Sequence, residues 1–180
     1  MMLPAWACRR NREASDRVLI FVGGARVMAL RVIQGIGELT SLVGRPLGTS
    51  DWLEITQERV DAFAAATGDH QWIHCDPARA AVEGPYRTTV AHGFLTLSLC
   101  IALTETSFRV EGVTMIINYG LNRVRFPAPV RVGSRVRMHS ELLELRPAAE
   151  GYQGVFKHTI EAEGESRPAC VMEAVLRLFF

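Results

Sequence analysis

The chain has 180 residues, of which 48% are hydrophobic and 22% charged, with 20 Lys and Arg against 19 Asp and Glu. That balance fits one globular domain with an apolar core, and a formal net charge of +1 gives no field of the kind that draws nucleic acid or an anionic membrane. The four cysteines, Cys8, Cys75, Cys100 and Cys170, form no C-x-x-C pair, so spacing suggests neither a zinc site nor a dithiol motif, and a reducing cytoplasm is expected.

Arg9, Arg10, Arg12 and Arg17 precede a short apolar run, Val18 to Val22, which Gly23 and Gly24 follow. A signal peptide needs a longer apolar stretch, and Arg26 and Arg31 come soon after this one. Residues 1–27 are therefore read as an extension outside the core, with Met28 as the natural start of a domain spanning 28–180. Beyond this region charge cuts every apolar run before it reaches the ~18 residues of a membrane span. Gly35-Ile36-Gly37 and Gly23-Gly24 lack the spacing of a nucleotide-binding loop.

From Ile33 onward a helical first half precedes a strand-rich second half, the order of an α+β domain rather than of alternating βαβ units. Thr56 can cap a helix whose positions Val60, Phe63, Ala64 and Thr67 share a face, with Gly68 ending it. Asp69 then begins a turn. Asp76 before Pro77 signals a second helix start, and Gly84-Pro85 another break. Phe94 to Leu103 is apolar on nearly every side, which predicts a central helix enclosed by other structure. Four strands are expected around Met115–Phe126, Arg135–Leu145, Val155–Glu163 and Ala169–Phe179. In the second, Val136, Met138, Ser140 and Leu142 alternate with Arg135, Arg137, His139 and Glu141, as in a sheet with one wet face. Turn residues at Pro147, Gly151 and Gly164 predict an antiparallel meander.

The segment Thr67-Gly68-Asp69-His70-Gln71-Trp72-Ile73-His74-Cys75-Asp76-Pro77 gathers a carboxylate, two imidazoles and an amide. On a regular helix Asp69 and His74 would point in different directions, but a loop leaving Gly68 can bring both to one pocket. A carboxylate and an imidazole holding one water can take a proton from it and return one to the neighbouring carbon, which is what hydration of a polarised double bond requires. The residues alone leave a second reading open, because an Asp after a helix-ending Gly also closes turns and a single His is usually a satisfied core or surface group. His70 is expected beside the site, Asp76 as an N-cap, and Trp72 and Cys75 in packing. Arg123, Arg125 and Arg131 read as a solvated face.

Residues Phe63 to His74, FAAATGDHQWIH, resemble the hydratase 2 signature of the MaoC-like dehydratases, in which a Gly-Asp pair is followed by a short stretch ending in Ile or Leu and then His. The later run Ala91-His92-Gly93-Phe94-Leu95-Thr96-Leu97-Ser98-Leu99 is similar to that family's entry into its central helix, and FPAPVRVGSRV, from Phe126 to Val136, to its strand connection. Together they cover Ile33 to the C-terminus, and the chain looks closest to the NodN-like branch. The resemblance implies a hot-dog fold, a curved antiparallel sheet wrapped around a buried helix. It also implies R-specific hydration of trans-2-enoyl thioesters carried by CoA or acyl carrier protein, with no cofactor and no metal. Asp69 and His74 would be the catalytic dyad, Gly93 the backbone donor to the thioester oxygen, and Gln71 and Ser98 further substrate-binding positions. Many members carry Asn-Pro where this chain has Gln71-Trp72, so the amide sits on a longer arm and the rigid proline is lost. For Ser98, a hydroxyl satisfied within its own helix is an equal alternative. A homodimer joined at sheet edges is expected. A hot-dog thioesterase, or a non-catalytic module that binds acyl thioesters, are the competing functions.

Overall fold

The computed structural model describes residues 30–180 together with two short strands, β1 (Leu19–Val22) and β2 (Ala25–Met28), paired antiparallel. The rest of the expected N-terminal extension, including Cys8 and the arginines before Val18, lies outside the described residues. The chain continues through β3 (Arg31–Ile33), α1 (Gly35–Ser41), β4 (Arg45–Thr49) and β5 (Leu53–Glu54) into α2 (Gln57–Thr67), α3 (Trp72–Cys75) and α4 (Pro77–Glu83). The helix entered at Gly93 runs as α5 (Gly93–Ser98) and α6 (Cys100–Glu105), joined through Leu99, whose φ of −66° and ψ of −12° keep it nearly helical. After it come β6 (Phe108–Val110), β7 (Met115–Arg125), β8 (Arg135–Ala148), β9 (Gly151–Ala162) and β10 (Cys170–Phe179).

The predicted helix signals act as read. The Thr56 hydroxyl accepts from the Arg59 amide at 3.3 Å, and Gly68, with φ 77°, closes α2 by donating to Ala64. Such a cap stabilises a helix by about 1 kcal/mol. The Asp76 carboxylate accepts from the Arg79 amide at 2.9 Å in front of Pro77, the N-terminal arrangement proline favours. The alternation in β8 is also as expected, with Val136, Met138, Ser140 and Leu142 all buried.

The large sheet is antiparallel in the order β4-β8-β9-β10-β7, with β5 also on β8. Strands β8, β9 and β10 form the expected meander, but β7 crosses to the far side and pairs with β10. Pro147 is not a turn residue. It stays inside β8 opposite Tyr152, and the reversal falls between Ala148 and Gly151, whose φ of 106° only glycine adopts without strain.

Two clusters fill the concave side. Val60, Leu95, Leu99 and Leu103 meet Met138 and Ile160 in one, and Ile33, Leu39, Phe108, Leu142 and Phe156 make the other. The central helix contributes only one face. Phe94 is 69% and Ile101 51% exposed, so the expected enclosure on all sides is not met within a single chain. An all-round apolar pattern reports that a helix is destined for burial, without saying that its own chain supplies the cover.

Candidate functional site

The site lies where α2 ends and the central helix begins. Gly68 turns the chain out of α2, and the Asp69 carboxylate accepts weakly from the Gln71 amide at 3.4 Å, an Asx-type turn that leads into α3. Three groups clamp α3. The Val90 amide donates to the Ile73 carbonyl at 3.0 Å, while the Val90 carbonyl accepts from Nδ1 of His74 at 2.6 Å. The Gln57 side chain donates to the His74 carbonyl at 2.8 Å and accepts from the Thr89 hydroxyl at 2.6 Å. Residues 89–91 are in turn tied to the segment after β7, through Ala91 to Val130 and Val132 to Thr89.

A carbonyl oxygen only accepts, so His74 carries its proton on Nδ1 and leaves Nε2 as the nitrogen able to exchange one. Burial holds its pKa below the ordinary histidine value, the neighbouring His92 adds to that, and the Val90 carbonyl and Asp69 pull the other way. His74 is therefore neutral near pH 7. The Asp69 side chain, by contrast, is 53% exposed.

A carboxylate oxygen of Asp69 and one ring nitrogen each of His74 and His92 lie within 4.8 Å of one another. Groups at that spacing can share a water, since each hydrogen bond spans about 2.8 Å. The same three residue types can ligate a metal. His74 and His92 stack with centroids 3.8 Å apart and planes at 27°, and each has one ring nitrogen engaged by a backbone carbonyl, His74 Nδ1 by Val90 at 2.6 Å and His92 Nε2 by Asp69 at 2.9 Å.

Gly93 follows His92 as the first residue of α5, where backbone amides have no acceptor in their own helix. It borders a cleft of about 280 Å³ with Phe126, Pro127 and Thr96 in its wall, and a Cβ at this position would stand 3.2 Å from the Phe126 ring. The sequence-predicted residues thus separate into two sets. Asp69, His74 and Gly93 come together through His92. Gln71 is exposed and caps α3 with its backbone, and Ser98 is exposed with its hydroxyl donating to the Phe94 carbonyl at 2.8 Å. His70 is exposed beside the site, and burial raises the Cys75 thiol, consistent with packing. Gln57, Thr89 and the contacts of His92 escaped the sequence reading. Gln57 looks like any first-turn helical residue, and in the His92-Gly93 pair the glycine is the residue whose type points to a backbone role.

A family model described as MaoC like domain matches residues 38–162. The chain is 51% identical over 149 residues to 3-hydroxyacyl-thioester dehydratase Z of Mycobacterium tuberculosis, covering 82% of this chain and 98% of that protein. It is 46% identical over 136 residues to nodulation protein N of Rhizobium leguminosarum, covering 74% and 84%. Among solved structures, the R-hydratase PhaJ1 of Pseudomonas aeruginosa superposes with a TM-score of 0.62 at 25% identity, over 76% of this chain and 81% of that one.

Proposed function

Because the chain belongs to the MaoC-like dehydratase family, we propose that it adds water reversibly to trans-2-enoyl thioesters, giving (R)-3-hydroxyacyl thioesters. One observation carries the assignment to these residues: an ionisable carboxylate and a neutral, oriented imidazole within 4.8 Å, beside the free amide end of the central helix.

In the reaction, water sits between Asp69 and Nε2 of His74, and the thioester oxygen meets the Gly93 N–H. The water oxygen bonds to the β-carbon as the π electrons move toward the carbonyl, making an enolate. One proton passes from the water to the pair and one from the pair to the α-carbon, so the enzyme ends as it began. A fixed donor aimed at the developing enolate oxygen contributes about 3 kcal/mol in comparable sites. Gln71 and Ser98, both exposed, are the positions at which the thioester arm would make further contacts. The carrier is CoA or acyl carrier protein.

A homodimer through β7 fits the surface. Among the described residues β7 pairs only with β10, and Met115, Ile117, Tyr119 and Leu121 are 43–66% exposed along its length. Antiparallel pairing of two β7 edges would satisfy their open backbone groups and continue the sheet. Among the described residues no helix is long and apolar enough to cross a membrane, and Cys75, Cys100 and Cys170 are unpaired, which suits a cytoplasmic enzyme. The domain is assigned to residues 28–180 and the extension to 1–27, ahead of the family match.

Crotonyl-CoA tests the function when loss of the enoyl absorbance and release of free thiol are followed together. Hydration removes the absorbance without thiol. Thiol release alone would identify a thioesterase, and no change in either would identify a binding module.

A further inference from the structure

His92 has no part in the proton transfers above, yet it touches both groups that do. The ring is 3% exposed. Its Nε2 donates to the backbone carbonyl of Asp69 at 2.9 Å, so Nδ1 is the unprotonated nitrogen, and that atom is buried without a partner. One face stacks on His74 at 3.8 Å, and Phe63 of α2 lies against the ring at 5.0 Å and 50°. His92 is also the N-cap residue of α5, immediately before Gly93. An apolar ring of similar size would fill the space without leaving a buried nitrogen unsatisfied, so packing alone is a poor explanation for histidine here.

We propose that His92 is a positioning residue for hydration: its Nε2–H fixes the Asp69 peptide and its ring face sets the plane of His74, so that both reacting groups and the Gly93 amide keep one register. This rests on the hydratase reading. The contacts divide the labour in a way substitution can separate. His92→Phe keeps a ring against His74 and Phe63 but loses the donor, whereas His92→Gln keeps an N–H at a similar reach and loses the ring.

Activity of the unaltered protein on crotonyl-CoA comes first, and its absence would overturn the hydratase reading and this proposal together. With that activity established, His92→Phe is expected to lower kcat roughly a hundredfold, the scale of a misplaced catalytic group, with KM within about threefold. His92→Gln should recover at least about tenfold of that loss. The acid limb of the His92→Phe profile should also move up in pH. His74 is faced by Asp69, His92 and the Val90 carbonyl, and removing the second imidazole removes one influence that disfavours its protonated form. Wild-type kcat in His92→Phe, or a rate lowered by one constant factor at every pH with Gln no better than Phe, would overturn the proposal and leave the hydratase reading standing. Imidazole 15N shifts of the unaltered protein do not depend on variants that fold. In its neutral form His92 should carry its proton on Nε2, and an Nδ1–H tautomer would contradict the proposal.

Discussion

His158 in the sheet and His74 at the candidate site are both buried, and the contrast between them separates a structural imidazole from the one proposed to exchange a proton. His158 sits on β9 with Nδ1 2.9 Å from the Ser140 hydroxyl on β8, and burial alone pushes its pKa down to about 4. Its ring stacks with Phe156. Nothing in that setting favours the charged form, so His158 stays neutral through the whole physiological range. Burial also lowers His74, but Asp69 and the Val90 carbonyl counter it. Burial makes an imidazole neutral, and a nearby carboxylate keeps it able to take a proton.

Substitution at the dyad would break the contrast most sharply. Asp69→Asn and His74→Ala should each lower kcat for crotonyl-CoA hydration by about 10²–10⁴-fold, with the double variant little worse than the weaker single because the proposed mechanism has the two act on one water. Far-ultraviolet circular dichroism should show the fold retained. The pH profile sharpens the same point. The proposed mechanism requires unprotonated His74, whose pKa lies below the ordinary 6.5, so kcat/KM should fall on the acid side with a midpoint under that value. In His158→Gln the midpoint should not move.

Stability should depend on the other histidine. The folded-state pKa of His158 is about 4 against 6.5 for an ordinary histidine, so the unfolded chain takes the proton first. The resulting stability is present above pH 6.5 and is lost as pH falls toward about 4, an effect on the order of 3 kcal/mol. Thermal melts across that window should show a shallower acid-side drop in Tm for His158→Gln. Ser140→Ala, which leaves His158 Nδ1 without its partner, should cost about 1–3 kcal/mol while kcat for the folded protein stays the same.

The two regions also differ in how readily the sequence discloses them. The sheet is written in side-chain alternation, so β8 and its buried face were legible, as were the ends of α2 and α4 from Thr56, Gly68 and Asp76. The parallel pairing of β3 with β6 was not, because two three-residue strands are too short to show a period. Nor was α1, which begins at Gly35 with φ 70° and includes a second glycine, a poor helix signature. At the site, Asp69 and His74 stood out as residue types and the resemblance gave them roles. What holds them there is a net of long-range polar contacts from Gln57, Thr89, Val90 and His92. Such contacts have no sequence period, and their members read individually as ordinary helix, turn and strand residues.

The most direct measurement offers (R)- and (S)-3-hydroxybutyryl-CoA separately and follows the appearance of the enoyl absorbance, with free thiol recorded alongside. The expected result is crotonyl-CoA from the R isomer alone, no thiol, and loss of the signal in Asp69→Asn. Formation of enoyl product from the S isomer, thiol release in its place, or an undiminished rate in Asp69→Asn would contradict R-specific hydration by this pair.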